Sequence, residues 1–335
     1  MATRPAEPCS AHSRASGNPE TSRWALGPRF RADQRTGNGC SLRRARPLLG
    51  TIVEIAVEGG ARSIMELAVD QAFETIATVH ARMSFHDPAS DVGRLNRRAQ
   101  FGPISVHSWT FEVLSLAAEL HQRSRGAFDI GVAPVLQKLG MLPVDTNAPF
   151  YSAKPSGGSI ELLADNRVFF RHAGVRIDLG GIAKGFAVDR AVEILQRHGL
   201  GGLVNAGGDL RVFGPNAHAI TIRDPRSPGQ SMCRVGLRDK ALASTGGSFD
   251  PFGSARIGSC ATIDPQRSAP VDAIRGATVM ASCCVVADAL TKVVMIAAEG
   301  AAPLLDHFAA AALFMRDDGE IRVTSDWPDL VDLAA

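Results

Sequence analysis

The sequence predicts an α+β fold with helices packed on an antiparallel sheet, and three observations carry this. From about residue 159 the pattern runs strand, strand, helix, strand, strand, not the strict alternation that builds a parallel sheet. Met65, Val69, Ala72, Phe73, Ile76, Val79 and Met83 recur at steps of three and four, which marks a long amphipathic helix. Asp318-Gly319 separates two apolar runs, 311–315 and 321–324, which is a strong hairpin signal.

Taken in order, the run from Gly50 to Val57 is rich in β-branched residues and reads as the first strand, ended by Gly59-Gly60. The amphipathic helix follows from Arg62. A second helix starts at about Ser108, read as its N-cap, carries Trp109, Val113, Leu116, Ala117 and Leu120 inward, and stops before Gly126. Residues 141–158 hold Pro143, Pro149 and Pro155 and read as a loop or insertion. Short strands are expected at 159–163, 168–171 and 176–179, then a helix at 183–198 closed by Gly199. Further strands follow at 203–205, 210–213 and 219–222, and a late helix at 286–298. No period of about 20–50 residues recurs, which excludes repeat architectures.

The chain has 335 residues, 45% of them apolar, with 36 Lys plus Arg against 34 Asp plus Glu, as suits one large or two small soluble domains. Apolar stretches such as 308–315 fall far short of the ~20 residues of a membrane-spanning helix, and no basic-then-apolar signal segment opens the chain. The six cysteines, at 9, 40, 233, 260, 283 and 284, lack the paired spacing of a zinc site and suit a reduced, cytoplasmic protein. Residues 1–46 carry nine Arg against three acids, so of the net +2 this segment holds +6 and the rest −4. Its Arg-, Ser-, Gly- and Pro-rich composition predicts a disordered tail rather than a nucleic-acid-binding arm. The run from His12 to Glu20 with Leu26-Gly-Pro-Arg-Phe-Arg looks like a translated DNA repeat, which predicts a true start near residue 40 and a single folded domain over 47–335.

Neither a dinucleotide-type glycine fingerprint nor a phosphate loop ending in Gly-Lys-Ser/Thr is present. Four other elements carry candidate chemistry. In Ile177-Asp178-Leu179-Gly180-Gly181-Ile182-Ala183-Lys184-Gly185, a strand runs through two glycines straight into a helix. Helix-start amides there suit an anionic phosphate, or else the turn simply requires positive φ. Val204-Asn205-Ala206-Gly207-Gly208-Asp209 repeats the pattern of apolar strand, double glycine and carboxylate. Leu242-Ala243-Ser244-Thr245-Gly246-Gly247 offers hydroxyls to a phosphate or sugar, or forms a polar turn. Ala287-Asp288-Ala289-Leu290-Thr291-Lys292 lies near a helix start, where Asp288 is either a ligand or a dipole partner. His80 and His86 lack metal-ligand partners, and Cys283 and Cys284 read as buried side chains.

The combination resembles the ApbE-like FAD:protein FMN transferase family from about Arg46 onward. It is carried by Arg46-Pro-Leu-Leu-Gly-Thr, Met83-Ser-Phe, Ser90 to Asn96, Phe128-Asp129 with Pro134, the Asp178 to Asp189 block, Asn205 to Asp209, Ile222 to Pro225, Ser244-Thr-Gly246, Ile263-Asp-Pro265 and Ala287 to Leu290. The resemblance implies an ApbE-like α+β fold with a T-fold-like core. It also implies a flavin transferase that moves FMN from FAD onto a Thr or Ser hydroxyl of a target flavoprotein and releases AMP, with Mg²⁺ assisting. On that resemblance Asn96, Asp178, Gly180, Gly181, Lys184, Gly207, Gly208, Asp209, Ser244, Thr245 and Gly246 bind the flavin nucleotide, Asp288 and Asp264 act in catalysis, and Ala183, through its carbonyl, Asp288 and Thr291 hold the metal.

Two positions depart from the family's pattern. The Thr expected four residues after the late-helix Asp is Lys292, with Thr291 about 100° round the helix. The His expected three residues before Asp264 is Ala261, and a missing general base commonly costs about 10²–10⁴ in rate. These departures keep two alternatives open, a non-catalytic FAD-binding or flavin-storage protein and an FAD pyrophosphatase yielding FMN and AMP. They also suggest that the Lys292 ammonium takes the cation position beside Asp288.

Overall fold

A computed structural model describes residues 41–144, 157–246 and 262–328. Strand β1 (Ser41–Leu48) pairs antiparallel with β2 (Thr51–Glu58) over its whole length. Residues 41–46 therefore belong to the folded body, which corrects the boundary expected at residue 46. Composition hid this strand because its arginines are the solvated side chains of a sheet edge, with Arg43 and Arg46 each 2.6 Å from a carboxylate, Glu54 and Asp70. Such charges discourage pairing with another chain. The tail expected over the preceding forty residues, and the start expected near residue 40, lie outside the described residues.

Helix α1 (Arg62–Met83) buries all seven residues that its period nominated, and Ala68 besides. Helix α2 (Asp91–Arg98) was not anticipated, since its mostly polar sequence carries no apolar period. It is set by Ser90, whose hydroxyl accepts the Gly93 N–H at 2.9 Å. After the two-residue β3 (Ile104–Ser105) comes α3 (Ser108–Arg123), capped by His107 and not by Ser108. The His107 Nδ1 accepts the Trp109 N–H at 3.2 Å. The short α4 (Ala133–Lys138) follows. Of the expected loop at 141–158, residues 145–156 lie outside the described residues.

Strands β4 (Ile160–Leu163) and β5 (Arg167–Phe170) form a small antiparallel sheet with β3. The strand expected at 176–179 joins no sheet. A side chain takes the place of a neighbouring strand: Asn96 accepts the Ile177 N–H at 2.8 Å and donates to the Ile177 carbonyl at 2.9 Å. The Asp178 N–H goes to the Ile130 carbonyl, also at 2.8 Å.

Helix α5 (Ala183–Arg197) ends as expected, with Gly199 at φ +71°. Then come β6 (Gly201–Ala206), β7 (Asp209–Phe213) and a hairpin of β8 (His218–Asp224) and β9 (Ser227–Leu237). Strand β10 (Ala241–Gly246) replaces the polar turn held open for Ser244 and Thr245. Strands β11 (Ile263–Asp264) and β12 (Ala269–Pro270) form a minimal ladder before β13 (Ile274–Ala281). Helices α6 (Cys284–Ala297) and α7 (Ala302–His307) lead to the predicted hairpin of β14 (Ala311–Arg316) and β15 (Ile321–Val323), with Gly319 at φ +91° in its turn.

The main sheet has the order β1-β2-β6-β7-β10-β13-β14-β15, and every neighbouring pair is antiparallel. One face lies under α1, α5 and α6, with Ile55, Val204, Ala243 and Val279 in the larger core. The other face lies under the β8–β9 hairpin, where Leu203, Leu210, Leu242 and Leu313 meet Ile220, Ile222 and Val235. Alternate residues of one strand thus feed different cores, as the strand period requires.

Candidate functional site

The two paired-glycine turns meet through their charged residues. Lys184 sits in the first turn of α5, just after Gly180-Gly181, and Asp209 opens β7 just after Gly207-Gly208. The Lys184 ammonium rests on the Asp209 carboxylate. Helix α6 brings in Asp288, whose Oδ1 is 4.0 Å from the same ammonium and whose Oδ2 accepts the Gly185 N–H at 3.0 Å. One turn along α6, Lys292 places its ammonium on Asp288 Oδ1 and also donates to the Asp288 carbonyl at 3.0 Å.

Close backbone approach makes this cluster possible. A Cβ on Gly185 would run into the Cys284 carbonyl and lie 2.8 Å from Asp288 Cβ, so only glycine lets α5 meet α6 here. The start of α6 is fixed by Asp189, which accepts the Cys284 and Val285 N–H groups at 2.9 and 2.8 Å and is itself held by Arg211 at 2.8 Å. Positive φ belongs to Gly207 at +69° and Gly208 at +112°, and not to Gly180 or Gly181. The first glycine pair is therefore not required by backbone handedness. The helix-start amides expected to face a phosphate are partly spent within the fold, that of Ala183 on the Leu179 carbonyl and that of Gly185 on Asp288.

Burial sets the electrostatics. Asp288 is 0% and Asp209 1% exposed, so each carboxylate depends on its partners for solvation. Burial would raise the Asp288 carboxyl, but the Lys184 and Lys292 ammoniums outweigh it and hold that carboxyl below its ordinary value. Burial, and then the Asp288 charge, push the Asp209 carboxyl upward against the pull of Lys184. Two carboxyls sharing one site divide in this way. Burial alone would lower Lys184, yet Asp209 and Asp288 reverse this and keep it protonated.

A cavity of about 270 Å³ opens beside the cluster, between the β8–β9 hairpin and the sheet. Of the residues nominated for the flavin, Gly207, Gly208, Ser244, Thr245 and Gly246 line it, together with Arg223 and others. Thr245 links the cavity to the cluster, since its hydroxyl lies 2.8 Å from that of Thr291 on α6. Reading of the residues missed Thr278 and Gly276 on β13, which also line the cavity. The available signal was a Gly and a Thr inside a strand whose other residues, Arg275 apart, are apolar.

Other nominated residues serve differently. Asn96 clamps the Ile177 backbone, and Asp178 accepts the Gly180 N–H at 3.2 Å, with burial pushing its carboxyl up. Asp264 accepts the Gln266 and Arg267 N–H groups at 2.9 and 3.2 Å, which makes it a turn former. Among the described residues no hydrogen bond or ion pair joins it to the cluster. Ala261 lies outside them.

The donor set does not suit Mg²⁺. That ion requires near-octahedral oxygen ligands at about 2.0–2.1 Å, whereas a lysine ammonium stands on the Asp288 oxygen a metal would take. The Thr291 hydroxyl donates to the Asp288 carbonyl at 2.7 Å and also meets Thr245, so the three expected ligands Ala183, Asp288 and Thr291 present no open set. Among the described residues no cluster of three His, Cys, Asp or Glu is placed to hold a metal ion.

Fold and site define an α+β protein in which two paired-glycine turns bring a lysine–aspartate cluster together beside a cavity. The sequence model of the ApbE family matches residues 49–314, and the chain belongs to that family. The FAD:protein FMN transferase of Vibrio cholerae is 26% identical over 252 residues, covering 70% of this chain and 74% of that protein. The one from Treponema pallidum is 26% identical over 319 residues, covering 86% and 88%. Among solved structures, an ApbE protein from Thermotoga maritima matches with a TM-score of 0.75 at 25% identity, over 85% of this chain and 97% of that one. The Vibrio cholerae flavin transferase ApbE has the same fold, with a TM-score of 0.71 at 22% identity, over 88% and 100%.

Proposed function

We propose that this protein is a flavin transferase that binds FAD at the lysine–aspartate cluster and the adjoining cavity and passes FMN to a Thr or Ser hydroxyl of an acceptor flavoprotein. The observation that carries this reading is the convergence of both paired-glycine turns on Lys184, Asp209 and Asp288, in a chain whose relatives are named FAD:protein FMN transferase. The cavity, just below the volumes of about 300–1,000 Å³ that hold a drug-sized ligand, suits one end of a dinucleotide and leaves the pyrophosphate to the cluster.

In the reaction, the acceptor oxygen forms a bond to the FMN-side phosphorus and its proton passes to solvent. The bond from that phosphorus to the bridging oxygen breaks, and AMP leaves with the electron pair. Negative charge grows on the departing phosphate, and fixed cations are the means of offsetting it. Lys184 and Lys292 are the cations at hand. Asp288 orients Lys292, Asp209 orients Lys184, and Asp264 shapes its own turn.

A second reading, FAD binding without turnover, is favoured by two observations. Lys292 covers the Asp288 oxygen, and Ala261 stands where the resemblance expects a base. Among the described residues no helix is long and apolar enough to cross a membrane. Mass spectrometry after mixing the protein, FAD and a Thr-containing acceptor tests the proposal. An FMN mass gain on the acceptor is expected. Free FMN with AMP means hydrolysis, and bound but intact FAD means storage.

A further inference from the structure

The Asp288 carboxylate is fully buried and fully provided for. Oδ2 has the Gly185 N–H, Oδ1 has the Lys292 ammonium, and Lys184 stands 4.0 Å from Oδ1 on its other bond to Asp209. Two carboxylates and two ammoniums balance, so a divalent ion entering here would have to expel Lys292 from its carboxylate. The lysine's path is also built. Gly181 lies alongside the stem that carries the ammonium to Asp288, since a Cβ there would be 3.4 Å from Lys292 Cε and 3.8 Å from Cδ and Cγ.

We propose that Lys292 is a resident cation, and that this protein holds the pyrophosphate of FAD without a divalent metal. The proposal rests on the flavin reading above. An ammonium has three N–H donors. Two are spent on Oδ1 and the carbonyl of Asp288, which leaves the third for a phosphate oxygen. Lys184, held charged by Asp209, supplies the second cation. The site thereby trades the stronger field of a divalent ion for a cation that cannot dissociate.

Two measurements test this on the full chain. In the first, Mn²⁺ is titrated into ligand-free protein and followed by electron paramagnetic resonance. The wild type is expected to take up no more Mn²⁺ than Asp288→Asn, whereas Lys292→Thr, which uncovers Asp288 and adds a hydroxyl, gains a site. In the second, FAD binding is followed by flavin fluorescence with Mg²⁺ or with chelator. The wild-type affinity is expected to change less than about twofold, and that of Lys292→Thr to fall more than about tenfold on chelation. If Lys292→Thr shows no cooperative melting transition, Lys292→Met, which keeps the stem, replaces it and must show the same pattern. Wild-type Mn²⁺ uptake that Asp288→Asn abolishes, or wild-type FAD binding that collapses with chelator, overturns the proposal. FAD that binds under no condition overturns the flavin reading instead, and the Mn²⁺ titration still decides the role of Lys292.

Discussion

Thr245 on β10 and Thr291 on α6 place their hydroxyls 2.8 Å apart, and this single bond ties the cavity-lining strand to the helix that carries Asp288 and Lys292. Thr291 is fully buried and also donates to the Asp288 carbonyl. Replacing either by Val keeps the shape and leaves the other hydroxyl with one partner fewer. Each single change is expected to cost about 1 kcal/mol, and the pair of changes less than their sum. Urea denaturation of the two variants and the double variant measures the coupling. A coupling near zero would mean that the two elements are held together by packing alone.

Gly185→Ala is expected to be among the most damaging small changes. Its new methyl meets the Cys284 carbonyl and Asp288 Cβ, both parts of the rigid start of α6. Overpacking of this kind costs about 1–3 kcal/mol, and relief requires α5 and α6 to part, which also withdraws the Gly185 N–H from Asp288. Equilibrium unfolding and FAD affinity are expected to fall together. A variant as stable as the wild type would show that the helices have room that this packing denies.

The parts of this architecture that sequence discloses are those fixed by local repetition. Helix α1 repeats its apolar face over about six turns, long enough for the period to stand out from composition. The Asp318-Gly319 turn needs only two residues to declare itself. Elements defined by partners stay hidden. Arginines conceal β1 because the strand becomes one only when β2 lies beside it. Ser244 and Thr245 read as a turn because nothing local shows that Ser244 faces Thr278 across the ladder, with their hydroxyls 3.0 Å apart.

The site divides in the same way. The spacing of four between Asp288 and Lys292 already puts both side chains on one helix face, and so the ion pair was legible. That Asp264 spends its carboxylate on its own turn was not, because the partners it meets depend on a chain path that no motif encodes.

Asn96 offers a test of positioning against direct contact. It serves both the N–H and the carbonyl of Ile177, at the entry to the first glycine pair. Asn96→Ala leaves two buried backbone groups without those partners, each costing about 1–3 kcal/mol. Asn96→Asp keeps the acceptor for the N–H and loses the donor to the carbonyl. The expected order of stability is wild type, Asn96→Asp, Asn96→Ala, with FAD affinity following the same order. An Asn96→Asp variant that keeps full stability but loses FAD would instead place the side chain against the ligand.

The pH dependence of stability is expected to carry a signature of Asp91. This carboxylate is 1% exposed, and its burial works to raise its proton affinity. The Arg94 guanidinium, the His107 N–H at 2.9 Å and the Thr110 hydroxyl at 2.8 Å outweigh burial, so its folded-state value lies below the ordinary one. A carboxyl depressed in the folded state stabilises the fold above its unfolded value of about 3.9. That contribution is lost as the pH falls through the lower, folded value. Asp91→Asn removes the charge and turns its amide N–H2 either toward the Arg94 guanidinium or toward the His107 N–H and the Thr110 hydroxyl, an expected loss of about 2–3 kcal/mol at neutral pH. The gap between wild type and variant is then expected to stay constant from neutral pH to about pH 5 and to narrow in more acid solution. Chemical denaturation at a series of pH values reads it directly. A gap that widens on acidification would reverse the sign of the shift and take the Arg94 pairing with it, because only a carboxylate held ionised by its donors loses its advantage as protons arrive.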